Sequence, residues 1–433
     1  MENPRSHRTA LVHGRGTSAL PVEFLTHVFA FASYEDHATL SAISHTNRDW
    51  RRIATSTPSL WVYIDFDGST NYSLDILKMY LDRSKRAMLS IQYYPSTIEV
   101  YRASFPILLE HVDRWRQFRS ETNYVEELVK DIVERLPDPP TLPNLWALLL
   151  TGHRNSKTLP FPPIRLPVIR RLALGYPYSS VSSCSVPPGL TSINMLPTSL
   201  SDFVSSTTLY EITWTISKHL VVQDGLRLDL PRLEKLTLAF SQMKWAVISK
   251  VFGAMAHCRP FSLKIIFLAI QRYRQPLNPA LNPSARLLSR VENLNIEATP
   301  PQSLDALSLS NVGQILARTP MLENLVFSRI SNARTLLSRI TVDNVPLPDL
   351  SRLEVVGADK LDVQLVAFLI RRKEQGIKTL EYLKLSGCGR RSEKLEEIKE
   401  LVQALEWNDR GVPNPYLILG VTRVRPLSRS VPT

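Results

Sequence analysis

The chain has 433 residues, enough for two or three ordinary domains, or for one small domain followed by a repeat array. A hydrophobic content of 44% is typical of a globular protein and excludes a largely disordered one. The three cysteines, Cys184, Cys258 and Cys388, have neither CxxC nor paired-histidine spacing. We therefore expect neither a disulfide framework nor a metal site, and no cofactor.

The net charge of +12 raises the question of nucleic-acid binding. The basic residues collect mainly at the two ends, 1–16 and 421–433, which we predict to be flexible tails. Since no aromatic stacking motif accompanies them, we expect solvated positive surfaces and no nucleic-acid ligand. The amino terminus lacks an apolar signal core, and no run approaches the roughly 18 apolar residues of a membrane span. We expect a cytoplasmic or nuclear protein without a membrane partner.

A small helical domain is predicted over residues 17–66. Pro21 suits the first turn of a helix, where its missing N–H is not needed. The spacing of the next apolar residues predicts one helical face, made of Phe24, Leu25, Val28, Phe29 and Ala32.

Two further helices follow in the same segment. Asp36 is a predicted N-cap for the second, which carries Leu40 and Ile43. Thr46 and Asp49 have the spacing of a capping box for the third, which carries Trp50, Ile53 and Ala54 and ends before Pro58. Three short helices bury little surface, so a partner or a neighbouring domain is expected to cover them.

This stretch resembles an F-box, in its Leu-Pro opening, its two apolar helical stripes and its Trp-Arg-Arg helix closing on Pro-Ser-Leu-Trp. The resemblance implies docking on the Skp-type adaptor of cullin-RING ubiquitin ligases. By position, it places the adaptor contacts on Leu20, Pro21, Phe24, Leu25, Val28, Leu40, Ile43 and Trp50. Where many F-boxes have Val-Cys, this chain has Ser44, His45 and Thr46. The alternative is a three-helix cap whose apolar residues all pack inward.

The region 67–136 is predicted to hold a connecting helix and degenerate first repeats. Leu74, Leu77 and Leu81 fit a helix, residues 88–91 a strand, and the segment from His111 another short strand.

Residues 137–420 repeat the pattern Leu-x-x-Leu-x-Leu. In each of seven clear copies the last two apolar residues alternate with a variable one, which is strand periodicity. The inward pairs are Leu148 and Leu150, Leu172 and Leu174, Leu236 and Leu238, Leu294 and Ile296, Leu325 and Phe327, Leu353 and Val355, Leu383 and Leu385. Degenerate copies starting at Leu190, Leu209 and Leu263 fill the two wide gaps.

The resulting spacing is close to the roughly 20 to 29 residues of a leucine-rich repeat, and helix-like segments lie between the later copies. We therefore predict an α/β fold: a three-helix F-box followed by an irregular leucine-rich-repeat solenoid, with parallel strands on the concave face and helices outside. The whole arrangement is similar to the large fungal, basidiomycete-type F-box family.

A solenoid offers the outward side chains of its strands to a partner. The predicted target-binding residues are Thr237, Asn295, Val326, Glu354 and Lys384. Arg171, Lys235, Arg352 and Lys384 are expected to make part of this row basic. Ordinary solvated strand residues are the alternative for each position.

The sequence contains no Ser-His-Asp order, nucleophile elbow or P-loop, so we expect a non-catalytic chain. Cys388 is expected to be a buried repeat cysteine, with a reactive thiol as the alternative. The first functional hypothesis is a substrate-recognition subunit of an SCF-type ubiquitin ligase, which binds the adaptor, through it a cullin, and a protein target. The second is an interaction scaffold whose F-box-like cap does not lead to ubiquitylation. An enzyme is a third, less favoured one.

Overall fold

The computed structural model describes residues 20–33, 37–68, 73–152, 159–175, 178–180, 187, 189–197, 200, 203, 208–216, 220–241, 245–268, 285–302, 312–330, 333–342, 347–357, 362–388 and 394–408. The predicted tails, the predicted N-cap Asp36 and Cys184 lie outside these residues. The chain divides into two compact units, one of residues 1–156 with 163–169 and one of residues 157–162 with 170–433.

The first unit begins with three helices. They are α1 (Val22–Ser33), α2 (His37–Thr46) and α3 (Arg48–Ser56), followed by a 3-10 turn over Pro58–Trp61. The predicted capping box is wrong: Thr46 is the last residue of α2, and the N-cap of α3 is Asn47, whose side chain accepts a hydrogen bond from the Trp50 N–H at 2.8 Å. Asn47 lies three residues before Trp50, which is the geometry that the cap requires.

Four parallel strands alternate with helices in the rest of this unit. The elements are β1 (Tyr63–Phe66), α4 (Ser73–Arg83), β2 (Leu89–Tyr93), α5 (Ile98–Leu109), β3 (Trp115–Glu121), α6 (Val125–Arg135) and β4 (Ala147–Thr151). The strands pair in the order β1-β2-β3-β4. The core between the strands and helices is aromatic, since Trp115 stacks on Phe118 at 4.5 Å and both are buried.

The second unit contains a longer parallel sheet. Its elements are β5 (Leu159–Pro160), β6 (Arg171–Leu174), β7 (Tyr178–Ser180), β8 (Ser192–Met195), β9 (Glu211–Ile216), β10 (Lys235–Ser241), α7 (Trp245–Ala254), β11 (Ser262–Leu268), α8 (Ala285–Leu288), β12 (Asn293–Gln302), β13 (Asn324–Ile330), α9 (Ala333–Val342), β14 (Arg352–Val356), α10 (Asp362–Glu374), β15 (Tyr382–Ser386), α11 (Leu395–Leu401) and β16 (Leu405–Asn408). Strands β5 and β7 form a separate pair, and the others run in the order β6-β8-β9-β10-β11-β12-β13-β14-β15-β16.

The first clear motif copy forms β4 of the first unit, and every other copy, clear or degenerate, forms a strand of this longer sheet. The inward residues align from strand to strand, as in the row Leu236, Leu263, Leu294, Leu325, Leu353 and Leu383. All of these leucines are buried, because alternation sends every second side chain toward the helices. Within the described residues, the fold class is confirmed as an α/β, solenoid-like repeat region of parallel strands after a helical domain.

None of the helices in the described part of the chain combines the length and apolar character that crossing a bilayer requires.

Candidate docking surfaces

Helix α1 exposes an apolar stripe. Leu20, Phe24, Val28 and Phe31 follow a spacing of four, four and three residues, which places them on one side of the helix. All four are exposed, Phe24 to 53% and Phe31 to 89% of its surface. Pro21 is also exposed at the start of the stripe, and the backbone N–H of Leu25 bonds to its carbonyl at 3.1 Å. Such a concentration of exposed apolar side chains on one helix marks an interaction surface.

The opposite side of α1 forms the core of the helical domain. Leu25 and Phe29 are buried there, as are Leu40 and Ile43 of α2. The resemblance to F-boxes predicts adaptor contacts at Leu25, Leu40 and Ile43, but these side chains belong to the core and not to the exposed stripe. The apolar residues from Phe24 to Ala32 therefore lie on two faces, because α2 and α3 cover only the side of α1 that holds Leu25 and Phe29.

Trp50 lies between these two environments. Its ring is partly exposed and packs on Phe29, with ring centroids 4.9 Å apart and planes tilted by 56°. Phe31 is the residue of the stripe that the sequence analysis missed. Its spacing of seven from Phe24 was the available signal.

Trp61 joins the helical domain to the first strand and helix of the same unit. Its indole N–H donates to the Ala54 carbonyl oxygen of α3 at 2.7 Å. Tyr80 of α4 meets the ring edge to face at 4.9 Å, and the Arg83 guanidinium lies 4.4 Å from the ring centroid. The three helices therefore share a core with α4, and the stripe on α1 has a rigid support.

The second candidate surface is the outward row of the long sheet. Thr237, Asn295, Val326, Glu354 and Lys384 lie in register on neighbouring strands, with Lys264 between the first two and Glu406 after the last. The five predicted residues are all partly exposed. The structure brings them together in one row, and their binding role stays a prediction.

Charges on this face neutralise one another. Lys264 bonds to Glu297 at 2.8 Å, and Lys384 bonds to Glu354 at 3.2 Å. The Glu354 carboxylate raises the pKa of Lys384, first by a hydrogen bond and then by its charge. A basic stretch at Lys384 is therefore not present, because the neighbouring strand supplies its counter-charge.

Amide groups occupy the middle of the same face. The Asn324 side-chain N–H donates to the Asn293 side-chain oxygen at 2.7 Å across neighbouring strands. The Asn295 side-chain oxygen is buried and has no hydrogen-bond partner among the residues that the structure describes. The middle of the face is thus polar and uncharged, flanked by ion pairs.

A metal site is not assembled within the described ranges. No three His, Cys, Asp or Glu side chains there are grouped as metal ligands. Cys258 is buried, and burial raises the pKa of its thiol to about 12, which suppresses the nucleophilic thiolate. The buried Cys388 thiol donates to the Val355 carbonyl oxygen at 3.3 Å and is a packing residue of its repeat.

Comparison with known proteins assigns the helical domain to a class. Residues 17–67 match the family model described as F-box-like, and this range includes α1, α2, α3 and Trp61. A search of curated proteins finds no match to the chain. F-box domains generally bind Skp-type adaptors and typically belong to non-catalytic substrate-receptor subunits. The assignment of the repeats to the leucine-rich-repeat class, and of the chain to a fungal family, stays a prediction.

Proposed function

We propose that this chain is a substrate-receptor subunit of an SCF-type ubiquitin ligase. The stripe on α1 binds the Skp-type adaptor, which links the chain to a cullin, and the outward face of the repeat strands binds a protein target. The chain holds the target near the ubiquitin-charged enzyme and so raises its effective concentration there. It performs no bond chemistry of its own.

The observation that carries the proposal is the exposed stripe inside the F-box-like match. Leu20, Phe24, Val28 and Phe31 leave a row of apolar side chains uncovered on a helix that buries Leu25 and Phe29 on its other side. Leu20 and Pro21 lie at its start, where the resemblance to F-boxes places the corner of the adaptor contact. Aromatic side chains such as Phe24 and Phe31 are suited to anchoring a protein interface.

The outward row of the sheet supports the proposal that the repeats bind a protein target. Its side chains are held in register by backbone pairing, so they present a surface of fixed spacing, with neighbouring strands about 4.8 Å apart. A target is recognised by this set as a whole.

Co-purification with a Skp-type adaptor tests the adaptor half. The double substitution Leu20→Ala with Pro21→Ala is expected to abolish retention of the adaptor and leave the unfolding midpoint unchanged, because both side chains are exposed. Retention of the adaptor by this variant contradicts the assignment of the docking surface. If bound partners are degraded at the same rate when ligase activity is blocked, the scaffold hypothesis replaces the receptor hypothesis.

A further inference from the structure

Arg329 has an unusual backbone conformation at the end of strand β13. Its φ is +59°, in the left-handed region that L-residues other than Gly, Asn and Asp seldom adopt. The side chain is nevertheless almost entirely covered, with 7% of the residue exposed. Arg329 thus combines a strained backbone conformation with a side chain that is covered over most of its surface.

The next two strands place glycine at the same register position. Ser328 pairs with Val356, and Val356 with Ser386, so the following residues Arg329, Gly357 and Gly387 are equivalent. Gly357 has φ +70° and Gly387 has φ +61°, the same left-handed turn. Glycine adopts this conformation without steric cost, whereas arginine does not. The fold therefore requires a left-handed conformation at this position, but it does not require the residue there to be arginine.

No partner in the described part of the chain balances the charge of Arg329. The guanidinium forms no ion pair and no side-chain hydrogen bond with the described residues. The carboxylates of the two neighbouring strands are already engaged, Glu297 by Lys264 at 2.8 Å and Glu354 by Lys384 at 3.2 Å. Buried cations are ordinarily paired. By contrast, the buried Arg372 donates to the carbonyl oxygens of Leu347, Leu350 and Lys378 at 2.7 to 2.9 Å.

We propose that Arg329 is the cationic element of an oxyanion-binding site at the carboxyl end of β13. A planar guanidinium matches the two oxygens of a carboxylate or a phosphate, which it binds through paired N–H donors. Strained residues that the fold does not require concentrate at binding sites. The ligand is a carboxylate or phosphate group on the protein target. That identification rests on the proposed function, whereas the binding of an anion at Arg329 does not depend on it.

Binding of simple anions to the full-length chain tests the site. The probes are inorganic phosphate and acetate, each titrated against chloride at equal ionic strength, with heat of binding and the midpoint of thermal unfolding as readouts. Arg329→Gln is expected to weaken binding about tenfold, because a charge-assisted hydrogen bond contributes roughly the equivalent of one order of magnitude in affinity. A response to phosphate alone identifies a phosphorylated target, and a response to both anions a carboxylate-bearing one.

The matched control is Arg371→Gln. Arg371 is a half-exposed residue of α10 that pairs with Glu374, so this variant removes one positive charge without touching β13. Its anion binding is expected to equal that of the unmodified chain. Equal binding in Arg329→Gln and Arg371→Gln overturns the proposal, as does the absence of any response to either anion.

The Arg329→Lys variant controls for misfolding of Arg329→Gln, and a measurement of adaptor retention separates this site from the adaptor surface. Arg329→Lys keeps the charge but not the planar donor pair, and it is expected to fold and to bind the anion more weakly. If Arg329→Gln does not fold, Arg329→Lys decides the question, and unchanged binding in it overturns the site. Adaptor retention is expected to be the same in all Arg329 variants, so a failed adaptor experiment leaves the anion result intact.

Discussion

The indole N–H of Trp61 donates to the carbonyl oxygen of Ala54 at 2.7 Å, which closes the carboxyl end of helix α3 with a residue that lies beyond it in the chain. The same indole is fully buried and packs against Tyr80 of α4. This contact makes the helical domain and the first strand-helix pair parts of one core. Stability of the F-box-like region therefore depends on residues that follow it.

Replacing Trp61 tests this shared core. Trp61→Ala is expected to lower the free energy of unfolding of the first unit by about 3 to 5 kcal/mol, because it leaves a large cavity. Trp61→Phe keeps most of the packing, removes the hydrogen bond to Ala54, and is expected to cost about 1 kcal/mol more than the volume change alone. Urea denaturation measures the loss of stability in both variants, and hydrogen exchange of the α3 amides follows the same loss in that helix. Equal stability of Trp61→Ala and the unmodified chain contradicts the shared core.

The two sides of α1 are expected to respond differently to alanine. Phe24→Ala with Phe31→Ala removes exposed rings, so we expect loss of adaptor retention by at least about tenfold in affinity with little change in stability. Leu25→Ala is expected to cost about 2 to 5 kcal/mol of stability, because this side chain is buried. Affinity measured against purified adaptor, together with the urea midpoint, separates the two effects. A stable Leu25→Ala variant would place the core elsewhere.

Burial of Cys258 predicts a pH dependence of stability. Burial raises the pKa of this thiol in the folded chain from its ordinary value of 9.0 to about 12, so between these two pH values the unfolded chain releases the thiol proton and the folded chain keeps it. Stability is therefore lost as pH rises through this window, by about 2 kcal/mol at pH ~10.5. Urea unfolding at pH ~8 and ~10.5 is compared with the Cys258→Ala variant, whose decline is expected to be shallower. Parallel declines refute the assignment.

The ion pair between Glu354 and Lys384 is expected to contribute modestly to stability. Glu354→Lys places two cations on adjacent strands, and we expect a loss of about 1 kcal/mol, since both side chains are about one-third exposed. Adding Lys384→Glu to this variant restores the opposite charges of the pair and is expected to recover part of the loss. A double-mutant cycle from urea unfolding measures the coupling, and a coupling of zero shows that solvent screens the pair completely.

Leucine spacing was sufficient to predict β4 and most of the strands that follow it, whereas β1 and β3 of the first unit carry a different signature. The motif copies have two leucines or similar aliphatics separated by one residue, and each is a strand. Strand β1 follows the F-box helices directly and reads YIDF, and β3 begins with Trp115, so aromatic residues stand where the motif has leucine. Inward and outward residues alternate in these strands as well, but a search for the leucine pattern does not find them.

The sequence predicts the apolar helix of the candidate docking site, but not which of its side chains face the solvent. Periodicity identified α1 and its apolar residues, yet only the positions of α2 and α3 decide that Leu25 is buried and Phe24 exposed. For Arg329 a signal did exist in the sequence. The aligned strand ends read VVG at Gly357 and LSG at Gly387 but FSR at Arg329, and only the backbone reveals that all three share one conformation.

The paired charges of the long sheet determine how a target meets it. Within the described part of the second unit, the outward strand positions hold five cations and four anions, which are Arg171, Lys235, Lys264, Arg352 and Lys384 against Glu211, Glu297, Glu354 and Glu406. A face so nearly neutral exerts little long-range attraction, although the chain as a whole carries +12. Encounter with a target is then expected to proceed at the ordinary rate of about 10⁵ to 10⁶ M⁻¹s⁻¹ and to depend weakly on salt. Selection among targets is therefore made by how long each one stays bound, and not by how quickly it arrives.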